Sequence, residues 1–163
     1  MEHLWAPWRM TYIEGPRPPG CFFCQAAGAD QSQEAEHLVV ARSERCLAIL
    51  NRYPYNNGHL MVAPLAHLGV LEDLEPAIAS DLMALTQRAI RVLRSVLTPE
   101  GFNVGINLGK VAGAGVIDHV HQHVVPRWNG DTNYMPVIGE VKVLGEHLER
   151  SYEKIRAGFD SMT

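Results

Sequence analysis

The chain has 163 residues, 47% of them hydrophobic and 20% charged, with a formal net charge of −4. That length supports one good core and is short for two complete domains, and the acidic balance argues against broad binding of nucleic acid while leaving room for a local pocket that holds an anionic small molecule. No stretch approaches the roughly 18 to 20 consecutive apolar residues of a membrane span, and the start, Met1 to Trp8, lacks the basic end and apolar core of a signal peptide, so a cytoplasmic protein without a membrane partner is expected.

The first 20 residues carry Pro7, Pro16, Pro18 and Pro19 with Gly15 and Gly20, which speaks against regular structure. Their aromatic members, Trp5, Trp8 and Tyr12, predict an arm that lies across its own domain or a partner subunit. The cysteines divide into a close pair, Cys21 and Cys24, and a lone Cys46 among apolar residues, expected to be a buried small hydrophobe; an odd count does not suggest a disulfide scaffold. Residues 25–36 are small and polar and read as a loop or short helix. Leu38–Ala41 and Cys46–Leu50 read as strands, and the turn formers from Asn51 to Gly58 lead into a return strand, Leu60–Ala63, stopped by Pro64.

After Pro76, the residues Ile78, Leu82, Leu85, Ala89, Val92 and Val96 recur at steps of three or four, which predicts a long helix ended by Pro99 and Gly101 and packed against the sheet. Phe102–Leu108 alternates as a strand, and the histidine run that follows reads as its hairpin-like partner. Between them, the loop Gly109–Val116 has little side-chain bulk, so its backbone N–H groups could approach a phosphate; Lys110 is expected to be solvated. A last helix is predicted over residues 140–156, with Val141, Leu144, Leu148, Tyr152 and Ile155 facing inward. The sum is an α+β domain: an antiparallel sheet of about five strands with a long packing helix and a C-terminal helix.

His119, His121 and His123 occupy alternate positions, which in a strand places three imidazoles on one face and Val120, Gln122 and Val124 on the other. Three jobs are open to them: metal ligation, chemistry on a substrate, and structural hydrogen bonding. Cys21 and Cys24 could combine with His67 and His119 into a closed, structural zinc site. Alternatively, His119, His121 and His123 could themselves hold a catalytic zinc, or the cysteines could be a redox dithiol or a simple buried pair. If His119 serves a metal, His121 becomes the candidate nucleophile, since a neutral imidazole can attack a phosphoryl centre once its other nitrogen donates a hydrogen bond. His123 could then orient phosphate or protonate the departing group, and His59 could serve the phosphate side from a neighbouring strand.

The run His119-Val120-His121-Gln122-His123-Val124-Val125 resembles the signature of the histidine-triad superfamily of nucleotide hydrolases and transferases. Asn51, the stretch Asn57–Pro64 with His67, and the strand holding Asn107 occur in the matching order, so the resemblance spans residues 21–128 of a single domain, 1–163, with an N-terminal arm over 1–20 and a C-terminal extension with its helix over 129–163. Leu4–Arg9 together with Pro126–Tyr134 resembles the bacterial branch that includes diadenosine tetraphosphate phosphorylases.

The resemblance implies a histidine-triad-like fold and a covalent nucleotidyl-imidazole on His121, with His123 and His59 as further catalytic residues. It implies that Asn51 bonds the ribose, that Asn107 lines the phosphate path with His59 and His123, and that Gly113, Ala114, Gly115 and Val116 face the α-phosphate. It also implies a structural Zn2+ on Cys21, Cys24, His67 and His119, no organic cofactor, and a homodimer or larger assembly such as a tetramer. In that assembly the helix after Pro76 is the dimer element, and Trp5 and Trp8 reach the partner's substrate pocket. Where the family's hydrolases carry glutamines near the phosphates, this chain has Asn107 and Gly113-Ala114-Gly115, which favours a phosphorylase. Gln122 replaces an apolar residue and should face away from the nucleophile, and the retained His123 sets the chain apart from the uridylyltransferase variant. The expected reaction is phosphorolysis of diadenosine tetraphosphate to ADP and ATP, with nucleotide and inorganic phosphate as partners. The alternatives are a dinucleoside polyphosphate or nucleoside phosphoramidate hydrolase releasing AMP, and a non-enzymatic, zinc-stabilised nucleotide-binding module.

Overall fold

Short apolar runs separated by turn formers produce β1 (Val39–Arg42), β2 (Cys46–Leu50), β3 (Leu60–Pro64), β4 (Gly101–Ile106) and β5 (Gln122–Arg127) in a computed structural model that describes residues 20–131 and 146–162. The expectations for Trp5, Trp8, Tyr12, Val141 and Leu144 lie outside the described residues. All five strands join one antiparallel sheet in the order β1-β2-β3-β5-β4. Every residue of β2 and β3 is buried, because the sheet is covered on both faces at its centre. Cys46 is among them, as expected, and burial, followed by the nearby Asp81 carboxylate, pushes its thiol up to about 12.

The long helix α2 (Pro76–Leu97) begins with proline, whose missing N–H costs nothing in a first turn, and ends where Thr98 turns left-handed at φ 49° before Pro99. Its buried stripe, Leu82, Leu85, Thr86, Ala89, Val92 and Leu93, packs on β2, β3 and β5. Each leucine so buried contributes roughly 1.5–3 kcal/mol, so tertiary packing outweighs helix propensity here. Asp81 pins the helix to the β1–β2 turn by accepting hydrogen bonds from the Ser43 hydroxyl at 2.7 Å and the Arg45 N–H at 2.8 Å.

The last helix is shifted from the predicted 140–156: it is α3, Leu148–Ser161, with His147 before its first turn. Ile155 and Phe159 are its buried anchors, and Leu148 and Tyr152 pack beside the core as the pattern predicted. The short helix α1 (Phe22–Gly28) also begins earlier than the 25–36 segment suggested, because Phe23 and Ala26 are fully buried and hold it against the domain. A lone turn of helix follows at Gln31–Gln33.

A buried ionic junction anchors α1. Arg42 donates to the carbonyls of Ala26 at 2.6 Å and Ala27 at 3.1 Å, satisfying carbonyls at the helix end, and to Glu34 Oε1 at 2.7 Å. Arg156 of α3 donates to the other carboxylate oxygen. Burial alone would raise the Glu34 pKa, but the two guanidinium groups outweigh it and hold the carboxyl below its ordinary value.

The histidine run is not a strand throughout. Pairing from β3 ends at Val62 opposite Gln122, and pairing from β4 ends at Ile106 opposite the same residue. Residues 119–121 therefore approach the sheet outside its ladder, and the Val120 N–H donates instead to Leu68 O at 2.6 Å. Gln122 is buried, on the strand face opposite His123.

Candidate active site and metal centre

The centre of the site is built from β5, its approach segment and the turn before β3. His123 stands on β5 opposite Met61. His121 lies beside it, with ring centroids 5.0 Å apart and planes at 73°. Gly58 takes φ +71° in the turn, and a Cβ there would meet Leu97 at 2.4 Å, so only glycine lets the chain deliver His59 to the sheet at this point.

Backbone partners decide the proton positions on His119, His121 and His59, and through His59 on His123. A carbonyl can only accept, so His121 Nδ1, 2.8 Å from His119 O, carries the proton and leaves the lone pair on Nε2. His119 Nε2, 2.9 Å from Pro64 O, likewise donates and leaves its lone pair on Nδ1. An amide N–H can only donate, so Tyr55 N–H, 3.0 Å from His59 Nδ1, puts the His59 proton on Nε2. That proton is donated to His123 Nδ1 at 2.9 Å, and His123 accordingly carries its own on Nε2. Burial is the main reason His121 stays neutral below the ordinary imidazole range, partly offset by the bond to His119 O. A buried ring with a free Nε2 lone pair beside a ring that presents Nε2–H is a nucleophile paired with a hydrogen-bond donor.

The second cluster lies directly behind the first. Cys21 precedes α1 and Cys24 follows one turn later, which sets both sulfurs on one side of the helix start. His119 Nδ1 lies 3.3 Å from Cys21 Sγ and 3.7 Å from Cys24 Sγ, and His67 Nδ1 lies 3.1 Å from Cys24 Sγ. The four donor atoms all fall within 4.8 Å of one another, so these residues could hold a metal ion. The donor chemistry fits: burial and then the neighbouring Cys21 raise the Cys24 thiol, a repulsion that a dication between the sulfurs would reverse, and His119 already aims its lone pair inward. Gly69 allows the His67 segment to close on this site, since a Cβ there would sit 3.0 Å from Asp118 Cα. Among the described residues, the His119, His121 and His123 rings form no such cluster.

Phe23 connects the two clusters, a role the sequence did not reveal. Its fully buried ring stands 5.0 Å from His119 and 5.0 Å from His121. Tyr55 was also missed; besides its N–H, its ring stacks on His59 at 4.9 Å. The Tyr55 signal is a backbone amide, which carries no residue identity, whereas Phe23 sits between two cysteines that had drawn the metal reading.

The remaining predicted residues lie around this core. Asn51 Oδ1 accepts the Tyr53 N–H at 2.9 Å, and Asn51 lines a cavity with Asn57, His59 and Ser151. Asn107 is half-buried, and its amide nitrogen is 3.9 Å from where a Gly113 Cβ would sit. Gly113, Ala114, Gly115 and Val116 form the loop that returns toward His119, and Lys110 is exposed as expected.

A family model described as the HIT domain matches residues 32–130. The AP-4-A phosphorylase of Mycobacterium tuberculosis is 47% identical over 154 residues, covering 91% of this chain and 79% of that protein. Adenosine 5'-monophosphoramidase hnt1 of Schizosaccharomyces pombe is 28% identical over 135 residues, covering 78% of this chain and 95% of that one. Among solved structures, a Zn-bound histidine triad family protein from Mycobacterium smegmatis superposes with a TM-score of 0.69 at 30% identity, covering 88% of this chain and 95% of that chain.

Proposed function

The chain belongs to the HIT domain family, and on that premise we propose that it is a nucleotidyl-transferring enzyme that phosphorolyses diadenosine tetraphosphate through a covalent intermediate on His121. The observation that carries the mechanism is the 2.8 Å bond from His121 Nδ1–H to His119 O, which commits one nitrogen and leaves the Nε2 lone pair to react.

That lone pair attacks the α-phosphorus, a P–N bond forms, and the P–O bond to the departing ATP breaks with its electron pair leaving on the ATP oxygen. Inorganic phosphate then attacks the same phosphorus, breaks the P–N bond and leaves as ADP, returning His121 to its starting state. His123 Nε2–H, with its ring held by His59, stabilises the phosphate charge, and Asn107 with the backbone of Gly113, Ala114, Gly115 and Val116 lines the phosphate path. Asn51 holds the ribose. Residues 109–117 contain no side-chain amide, so water gains no obvious positioning group there, which favours phosphate as the acceptor.

Cys21, Cys24, His67 and His119 fit Zn2+ as a structural ion, since four protein donors leave no position for substrate. When bound, it supplies cross-linking of α1 to the site rather than polarisation of a phosphate. Two copies of the chain joined along β4 and α2 are the expected assembly. The strand is a sheet edge, and Val104 and Met83 on these elements are 45% and 48% exposed. Sedimentation should return twice the 18.1 kDa chain mass, and a monomer at micromolar concentration would refute this assembly.

Product analysis with and without inorganic phosphate tests the reaction. ADP and ATP formed only when phosphate is present is the expected outcome. AMP and ATP regardless of phosphate would make the enzyme an asymmetric hydrolase.

A further inference from the structure

The histidine pair His59–His123 is held by a turn, and that turn is itself clamped from a distance. Asn56 is 7% exposed, and its carbonyl accepts the His59 N–H at 3.1 Å. Its side-chain amide donates to Pro126 O at 3.0 Å and to Asp131 Oδ2 at 2.8 Å, reaching across to the end of β5. Asp131 also accepts from Arg127 Nε at 2.6 Å, from the Arg127 terminal nitrogen at 2.9 Å and from the Trp128 N–H at 3.2 Å. Its side chain is only 9% exposed.

Every group aimed at that carboxylate from Asn56, Arg127 and Trp128 is a donor, so the position requires a group that only accepts. An asparagine of the same shape would bring an NH2 among these donors and turn one contact into a repulsion. The clamp therefore fixes Asn56, and Asn56 fixes the position of its neighbour Tyr55. The Tyr55 N–H then sets the proton on His59 Nε2, and His59 in turn sets the proton on His123 Nε2.

We infer that Asp131 and Asn56 are positioning residues, which hold the turn so that the Tyr55 N–H locks the tautomers of His59 and His123 and keeps the His123 Nε2–H as a donor for substrate phosphate. The last clause rests on the function proposed above, while the tautomer lock does not. His121 lies outside the chain of bonds, because its tautomer is set by His119 O.

Ring 15N spectra of the full chain read each nitrogen directly. In the wild type, His59 and His123 should show protonated Nε2 and bare Nδ1, and His121 the reverse. Asp131→Asn and Asn56→Ala should each move the His59 and His123 signals toward averaged values and leave His121 unchanged. Both variants should lose roughly 10- to 100-fold in kcat, with KM changed by no more than about twofold, as expected for misplacement of a positioned group. A wild-type His59 protonated on Nδ1 overturns the inference, even if neither variant folds. So does either folded variant that keeps the wild-type tautomers, or that loses them with kcat intact. If the wild type fails to phosphorolyse the dinucleotide while the tautomers respond as described, the proposed function falls and the lock stands.

Discussion

His121→Asn is expected to lower kcat by about 10⁴-fold or more and to leave nucleotide binding within a few fold. Asparagine keeps much of the ring's size, and its side-chain amide can still donate toward His119 O, so the buried position at 4% exposure stays filled and hydrogen-bonded. What is lost is the Nε2 lone pair, the only part of the ring the proposed chemistry uses. The intermediate should vanish as well: wild-type protein denatured in alkali, where the acid-labile P–N bond survives, after reaction with radiolabelled substrate should carry nucleotide on His121, and the variant none. A variant that retains a tenth of the activity would remove His121 from the mechanism. A nucleotide-binding module without catalysis would show no labelled wild type at all.

Removal of the metal should have the second large effect, and it should fall on the fold before the chemistry. Chelation, or Cys24→Ala, breaks a set of donors drawn from residues 21, 24, 67 and 119, which are distant in sequence and joined at one point. Structural zinc sites contribute apparent binding free energies of about 10–16 kcal/mol in small domains, and loss here should cost at least about 3 kcal/mol of unfolding free energy. The buried junction of Glu34, Arg42 and Arg156 retains the far end of α1, so partial loosening is expected rather than global unfolding. Loosening at the Cys21 end frees Phe23 from its contacts with the His119 and His121 rings. Turnover should therefore decline together with thermal stability and metal content, measured on the same samples. Activity abolished by chelation at an unchanged melting temperature would point instead to a catalytic ion on the triad.

Much of the site was legible because its chemistry uses distinctive residue types. Cysteines are few, and ligand preferences put Cys21, Cys24, His67 and His119 among the candidate metal sets, the set whose donor atoms the structure gathers. The strands were legible as well, since alternation is a local property: β2 and β3 lie within a residue of their predicted limits. The errors came where tertiary contacts override local pattern. Alternate histidines suggested a continuous strand, but the ladder begins at Gln122, and only His123 of the three belongs to it. Phe22 and Phe23 gave no helical period of their own, yet burial of Phe23 starts α1 three residues ahead of the predicted segment. At the last helix, inward contacts extend to Phe159, past the predicted end at 156.

The sequence by itself determined the α+β class, the long helix with its buried stripe, the nucleophile candidate and one candidate ligand set among its alternatives, because side-chain type and periodicity are written in the residues. The tertiary structure alone decided which nitrogens of His59, His119, His121 and His123 hold their protons, and hence where each ring offers a donor and where a lone pair. The groups that make those decisions are the carbonyls of Pro64 and His119 and the amide of Tyr55. Backbone groups are the same in every residue, so their influence enters only when folding brings each one to its ring.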